Sequence, residues 1–247
     1  MNIKQYLDST YLKTAIQAGL SEEENSDVVK KAINEAITEG FKLIMIRPEY
    51  VALAKEMILK ANSILLVGTV IDFPEGKSSL EDKIKEANEA IENGADDLDF
   101  VCNYEAFKNG QIDLVKEEIV IGTQIGLAHN KTVKWIIEVA ALSDKEIIQL
   151  SALIKNTVIS NFKEDDYAAV FVKSSTGFYK TGNDVPNGAT VSSIIMMLEN
   201  ASPLPIKAAG GVRSYKDAVE MIRLGVKRIG TSAAKEIANG ENAPNEY

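Results

Sequence analysis

The chain has one cysteine, one histidine, no apolar stretch of membrane-spanning length and no G-x-G-x-x-G turn. Each absence removes a class of function. A lone Cys102 excludes an intramolecular disulfide and suits a reducing cytosol. A lone His129, in the polar run Gly-Leu-Ala-His-Asn-Lys, reads as a surface residue and supports neither a histidine acid–base pair nor a metal cluster. The N-terminal Met-Asn-Ile-Lys-Gln-Tyr lacks the apolar core of a signal peptide, so the expectation is a soluble cytoplasmic protein with no membrane partner. A net charge of −9, from 27 basic and 36 acidic residues, argues against a nucleic-acid partner.

What remains is a regular alternation. Short β-rich apolar runs at 6–10, 41–46, 64–70, 97–101, 133–139, 169–173, 206–209 and 228–231 alternate with longer segments. Those at 28–39, 49–60, 80–93, 112–127, 144–159 and 215–224 repeat apolar residues every three or four positions, the period of a helix packed on one face. Gly40, Gly94 and Gly225 stand where helices should end. Strands separated by helices pair in parallel through right-handed crossovers. Eight of them in 247 residues is the count of a (β/α)8 TIM barrel. The alternative, an open doubly wound sheet, calls for a glycine-rich turn after the first strand, which is missing. No linker or low-complexity tract divides the chain, so one domain over 1–247 is expected, with 239–247 as a flexible tail.

In such a barrel the C-terminal ends of all strands face one mouth. Read in order, those ends carry Asp8, Arg47, Asp72, Asp99, Glu138, Lys173, Lys207 and Ser232. Unpaired buried charges cost several kcal/mol, so core packing alone does not explain such a set. Two members are unusual. Lys173 closes Ala-Val-Phe-Val-Lys and precedes Ser-Ser-Thr-Gly177; Lys207 closes Pro-Ile-Lys and precedes Ala-Ala-Gly-Gly-Val-Arg213. Desolvation lowers an ammonium's pKa, and a neighbouring ammonium lowers it further. A neutral amine is the nucleophile of Schiff-base chemistry. After the seventh and eighth runs, Gly210, Gly211 and Arg213, and then Gly230 and Ser232, fit a phosphate seat built from backbone N–H groups and a helix N-terminus. Thr176 and Gly177, beside Lys173, add a third set of donors.

These motifs, with Gly94-Ala-Asp-Asp-Leu-Asp99, Phe73-Pro-Glu-Gly76 and Leu7-Asp8-Ser-Thr10, resemble those of the deoxyribose-phosphate aldolases, a class I aldolase family. The resemblance runs almost the whole chain. It implies reversible cleavage of 2-deoxy-D-ribose 5-phosphate to D-glyceraldehyde 3-phosphate and acetaldehyde, with no metal or other cofactor, by a homo-oligomer. It also implies Lys173 as the Schiff-base lysine, Lys207 as the lysine that perturbs it, and Asp99 as the proton-shuttling carboxylate. Asp8 and Thr10 would orient the sugar hydroxyls or a proton-relaying water, while Thr176, Gly177, Gly210, Gly211, Arg213, Gly230 and Ser232 would hold the phosphate. A lysine-dependent aldolase for another sugar phosphate and a non-catalytic sugar-phosphate-binding barrel are the rival readings.

The chain departs from the family pattern at Met45, Arg47, Asp72, Val139 and Phe178. Asp72 should add negative charge near the mouth. Cys102 reads as a small apolar filler, Met196 and Met197 as core residues of a helix, and Glu22-Glu23-Glu24 as a solvated segment ahead of a helix. Tyr247 could reach over the mouth as a proton donor.

Overall fold

The eight runs become eight parallel strands hydrogen-bonded in chain order and closed into a barrel. They are β1 (Leu7–Tyr11), β2 (Leu43–Ile46), β3 (Leu66–Ile71), β4 (Asp97–Val101), β5 (Thr132–Ile136), β6 (Val170–Lys173), β7 (Ile206–Ala209) and β8 (Arg228–Thr231). The computed structural model describes residues 2–182 and 185–241. Closure comes from β1 lying against β8, with Leu7 opposite Ile229 and Asp8 opposite Gly230. No helix among the described residues is long and apolar enough to cross a membrane.

Successive side chains along a strand point to opposite faces, so each strand divides into an outward and an inward set. The outward set is mostly apolar, with Ser9, Thr69 and Thr231 as its buried polar members. Leu7, Ile44, Ile46, Val67, Leu98, Phe100, Val133, Trp135, Val170, Val172, Ile206 and Ile229 join the main core between barrel and helices. The inward set splits in two. On β2 and β3 it is Leu43, Met45 and Val70, a separate small cluster against Leu12, Phe73 and Phe178. Gly68 completes this side because a Cβ there would lie 2.6 Å from the Met45 methyl group. On β1 and β4 to β8 the inward set includes charged side chains, and all of these are buried.

Helix starts follow local chemistry. Ser21 Oγ accepts from Glu24 N at 3.2 Å while the Glu24 carboxylate accepts from Ser21 N at 2.9 Å. This capping box starts the helix at Glu22, so Glu22–Glu24 are its first turn and not a segment ahead of it. Their charge suits the positive end of the helix dipole. Gly40 ends the helix in the left-handed region, φ 65°.

Strand 5 is shorter than its apolar run. Pairing continues through Ile137 N to Lys173 O at 3.0 Å, but Glu138 turns to φ 56° and Val139–Ala141 form a 3-10 turn. Helix Tyr104–Lys108 fills a segment for which no helix was expected, whereas Val191–Ala201 is the helix expected around Met196 and Met197, with Met197 buried and Met196 packed against the core. Cys102 is free and fully buried, and burial pushes its thiol up to about 12. His129 is exposed at the end of the helix Ile112–Ala128. The final helix, Ala234–Asn239, ends at Gly240, so the first two residues of the expected tail are ordered; residues 242–247, with Tyr247, lie outside the described residues.

Candidate active site

Seven charged side chains meet inside the barrel: Asp8, Asp97, Asp99, Lys134, Lys173, Lys207 and Arg228, all buried. Strand register brings them together. Lys173 pairs with Lys207 across β6 and β7, Asp99 with Lys134 across β4 and β5, and Lys207 with Arg228 across β7 and β8. One carboxylate oxygen, Asp99 Oδ2, accepts from Lys173 Nζ at 2.9 Å and from Lys207 Nζ at 2.9 Å. The other, Oδ1, accepts from Lys134 Nζ at 2.7 Å. The two lysines singled out in the sequence thus converge on the expected aspartate.

The charge balance follows from these contacts. Burial disfavours ionised Asp99, but the ammonium groups of Lys134, Lys173 and Lys207 outweigh it and hold the carboxyl well below its usual range. Asp8 is also lowered: burial is overcome by Arg228, Lys207 and Lys134. Burial would lower Lys134, yet Asp97 and Asp99 raise it. Lys173 goes the other way. Burial dominates; Asp99 opposes it while Lys207 and Lys134 add repulsion, and the amine is lowered to about 8. Its proton is therefore easier to remove than that of an ordinary lysine, beside a cavity a carbonyl carbon could enter.

Lys173 also lines the cavity above this cluster. Its walls include Thr10, Thr176, Gly177, Gly210, Gly211, Arg213, Gly230 and Ser232, every residue assigned to substrate in the sequence except Asp8. Asp8 lies beneath, held by Arg228 Nε at 2.7 Å and by Lys207 Nζ at 2.6 Å. It does not line the cavity, and its carboxylate faces the lysine layer. Glycine at 210 is required twice: φ is +78°, and a Cβ would sit 2.8 Å from Gly188 Cα. Ser174 staples the ends of β6 and β7, its hydroxyl donating to Ala209 O and accepting from Ala209 N, both at 2.9 Å.

Glu138 shapes the turn after Lys173. Its Oε2 accepts from Thr176 N at 3.1 Å and from the Thr176 hydroxyl, which in turn accepts from Phe178 N at 3.0 Å. Burial raises the Glu138 carboxyl against these bonds.

Two strand-end residues do not join the site. Asp72 takes φ 54°; its carboxylate is bound by Ser78 N at 2.9 Å, Ser78 Oγ at 2.7 Å and the buried Lys83 at 3.3 Å. It shares Lys83 with Glu118, at 3.0 Å, and does not line the cavity, where the sequence had suggested negative charge near the mouth. Arg47 donates from Nε to Leu12 O at 2.7 Å and lies 5.0 Å over the Phe73 ring. Phe73 meets Phe178 edge-on at 5.0 Å, and Phe178 lines the cavity. Lys134, Asp97 and Arg228 were not singled out in the sequence; the available signal was a charge inside or at the start of each apolar run, Lys134 in register with Asp99, Arg228 in register with Lys207, and Asp97 two residues before Asp99 on the same face. Among the described residues no group of three His, Cys, Asp or Glu side chains forms a metal site.

A model of the DeoC/LacD family aldolases matches residues 8–240. The chain belongs to that family. A DeoC/LacD relative from Caldicellulosiruptor saccharolyticus, named deoxyribose-phosphate aldolase, is 38% identical over 239 residues, covering 96% of this chain and 97% of its own. One of the same name from Thermococcus gammatolerans is 37% identical over 241 residues, covering 97% and 96%. The solved structure of deoxyribose phosphate aldolase from Aeropyrum pernix, described as a unique tetramer, superposes with a TM-score of 0.76 at 27% identity, covering 96% of this chain and 89% of that one.

Proposed function

We propose that this class I aldolase reversibly cleaves 2-deoxy-D-ribose 5-phosphate to D-glyceraldehyde 3-phosphate and acetaldehyde. The observation that carries the reading is Lys173: a buried amine with its pKa lowered to about 8, on the floor of a glycine-lined anion seat. Its neutral form adds to C1 of the open-chain sugar, and loss of water leaves an iminium. Removal of the C3 hydroxyl proton lets the C2–C3 bond break; its electrons flow to the iminium as an enamine, and glyceraldehyde 3-phosphate departs. Protonation at C2 and hydrolysis then release acetaldehyde and restore the amine.

Lys207 is assigned to keeping Lys173 easy to deprotonate, and Asp99 to passing protons, directly or through a water. A carboxyl held so low keeps no proton for long, which suits a relay more than a reservoir. Thr10 would meet the sugar hydroxyls, with Asp8 acting from below. Thr176, Gly177, Gly210, Gly211, Arg213, Gly230 and Ser232 would surround the phosphate, offering backbone N–H groups and one guanidinium. The buried free cysteine fits a reducing cytoplasm, and the tetrameric relative supports a homo-oligomer.

Borohydride added with acetaldehyde should leave an ethyl group on Lys173, located by peptide mass spectrometry. Trapping should rise with pH through about 8, as the ammonium gives up its proton. Labelling at another lysine would reject the assignment, and trapping by dihydroxyacetone in place of acetaldehyde would favour the rival aldolase. Gly210→Ala should raise KM for the phosphorylated sugar by about tenfold, with a smaller change in kcat, because the strained turn displaces the anion seat. An unchanged KM would remove that loop from phosphate binding.

A further inference from the structure

Six of the seven buried charges form a closed circuit of alternating sign. Lys207 touches Asp8 at 2.6 Å and Asp99 at 2.9 Å. Lys134 joins Asp99 to Asp97, each at 2.7 Å. Arg228 returns from Asp97, at 3.3 Å, to Asp8, with its Nε 2.7 Å from Oδ1. Every cation in the circuit has two carboxylates, every carboxylate has two of these cations, and the charges cancel. Lys173 stands outside it, attached through one oxygen of Asp99.

We propose that Arg228 and Asp97, neither of which lines the cavity, are positioning residues for the reaction at Lys173: they close the circuit and so leave no spare carboxylate for that amine. The proposal rests on Lys173 being the imine-forming group. The groups facing Lys173 are Asp99 on β4, Lys134 on β5, Glu138 just after it and Lys207 on β7. Arg228 and Asp97 act on Lys173 through Asp8, Lys207, Lys134 and Asp99. Without Arg228 the circuit has one uncompensated negative charge, which a protonated Lys173 would balance, so the amine should hold its proton to higher pH. With Asp97 made neutral the circuit has one excess positive charge, and the amine should lose its proton at lower pH. Inside a barrel with little water to screen them, such changes reach across several ångströms.

The test follows borohydride trapping of acetaldehyde on Lys173 against pH in the full-length protein and in Arg228→Met, Arg228→Lys, Asp97→Asn and the double variant Arg228→Met/Asp97→Asn. The midpoint should move up by about one pH unit in Arg228→Met, making trapping at neutral pH about tenfold slower but recoverable at alkaline pH. It should move down in Asp97→Asn, stay close to the wild type in Arg228→Lys, and return towards it in the double variant. Merely structural residues would slow trapping at every pH without moving the midpoint. That result, or shifts of the same sign in both single variants, would overturn the proposal. If Arg228→Met does not fold, Asp97→Asn decides: a downward shift supports the circuit, and an unmoved or upward midpoint rejects it. Wild-type protein that is never trapped on Lys173 would instead reject the proposed function, a result read before any variant is compared.

Discussion

Replacing Lys173 by leucine should abolish turnover, by more than about 10⁴-fold, and at the same time raise the melting temperature at neutral pH. The first effect follows from losing the proposed nucleophile, whose removal no other member of the site should offset. The second follows from linkage. The folded protein binds the Lys173 proton less tightly than the unfolded chain, with a pKa of about 8 against an ordinary 10.5. A lowered lysine pKa therefore penalises the fold below about pH 8, by about 3 kcal/mol, and the penalty fades as pH rises from 8 towards 10.5. Leucine carries no such penalty. Thermal melts at neutral and alkaline pH should show a stability advantage for the variant that shrinks across this window. A variant that melts lower than wild type at neutral pH would show that the amine is not held at a cost.

The second large effect is expected at Lys207. Lys173 and Lys207 share Asp99 Oδ2, each at 2.9 Å. Lys207→Leu removes a repelling charge from beside Lys173 and leaves that oxygen to Lys173 alone. Both changes favour the ammonium, so the acid limb of kcat/KM should move to higher pH by about one to three units. Turnover at neutral pH should fall by about 10–10³-fold and recover in part at alkaline pH. Lys207→Arg, which keeps the charge, should move the limb less. Full activity of Lys207→Leu at neutral pH would refute the paired-lysine account.

The barrel was legible because helical and extended periods differ and because eight strands recur at regular intervals. The limits of individual elements were less so. The run 133–139 is apolar almost to its end, yet the strand stops at Ile136, because the Glu138 side chain is needed to bind Thr176. Helix 22–39 starts six residues before its apolar stripe, at a capping box whose Ser21 and Glu24 were visible in the chain. Within the site, Lys173 ends β6, while Asp99 and Lys207 lie within β4 and β7; all three were legible because each is a charge in a short apolar run close to a recognisable motif. Lys134 was not. Parallel strands buried on both faces read as continuous apolar runs, so the direction of one lysine between Val133 and Trp135 emerges only from its register with Asp99. Asp72 was misplaced because a residue's position at a strand end does not reveal a positive φ or a buried lysine from a neighbouring helix.

The Asp8–Arg228 link joins residues 220 positions apart and bonds the first strand to the last. On the ribosome Asp8 emerges long before its guanidinium exists, and Lys207, its other partner, is also a late arrival. The nascent chain thus carries an uncompensated carboxylate until nearly all of it has been made. Closure of the seam, neutralisation of Asp8 and completion of the cavity wall at Gly230 and Ser232 all await the same final strand and the turn after it. Chains terminated before that point lack a closed wall and a working pocket together, so a prematurely ended product offers no partly active enzyme.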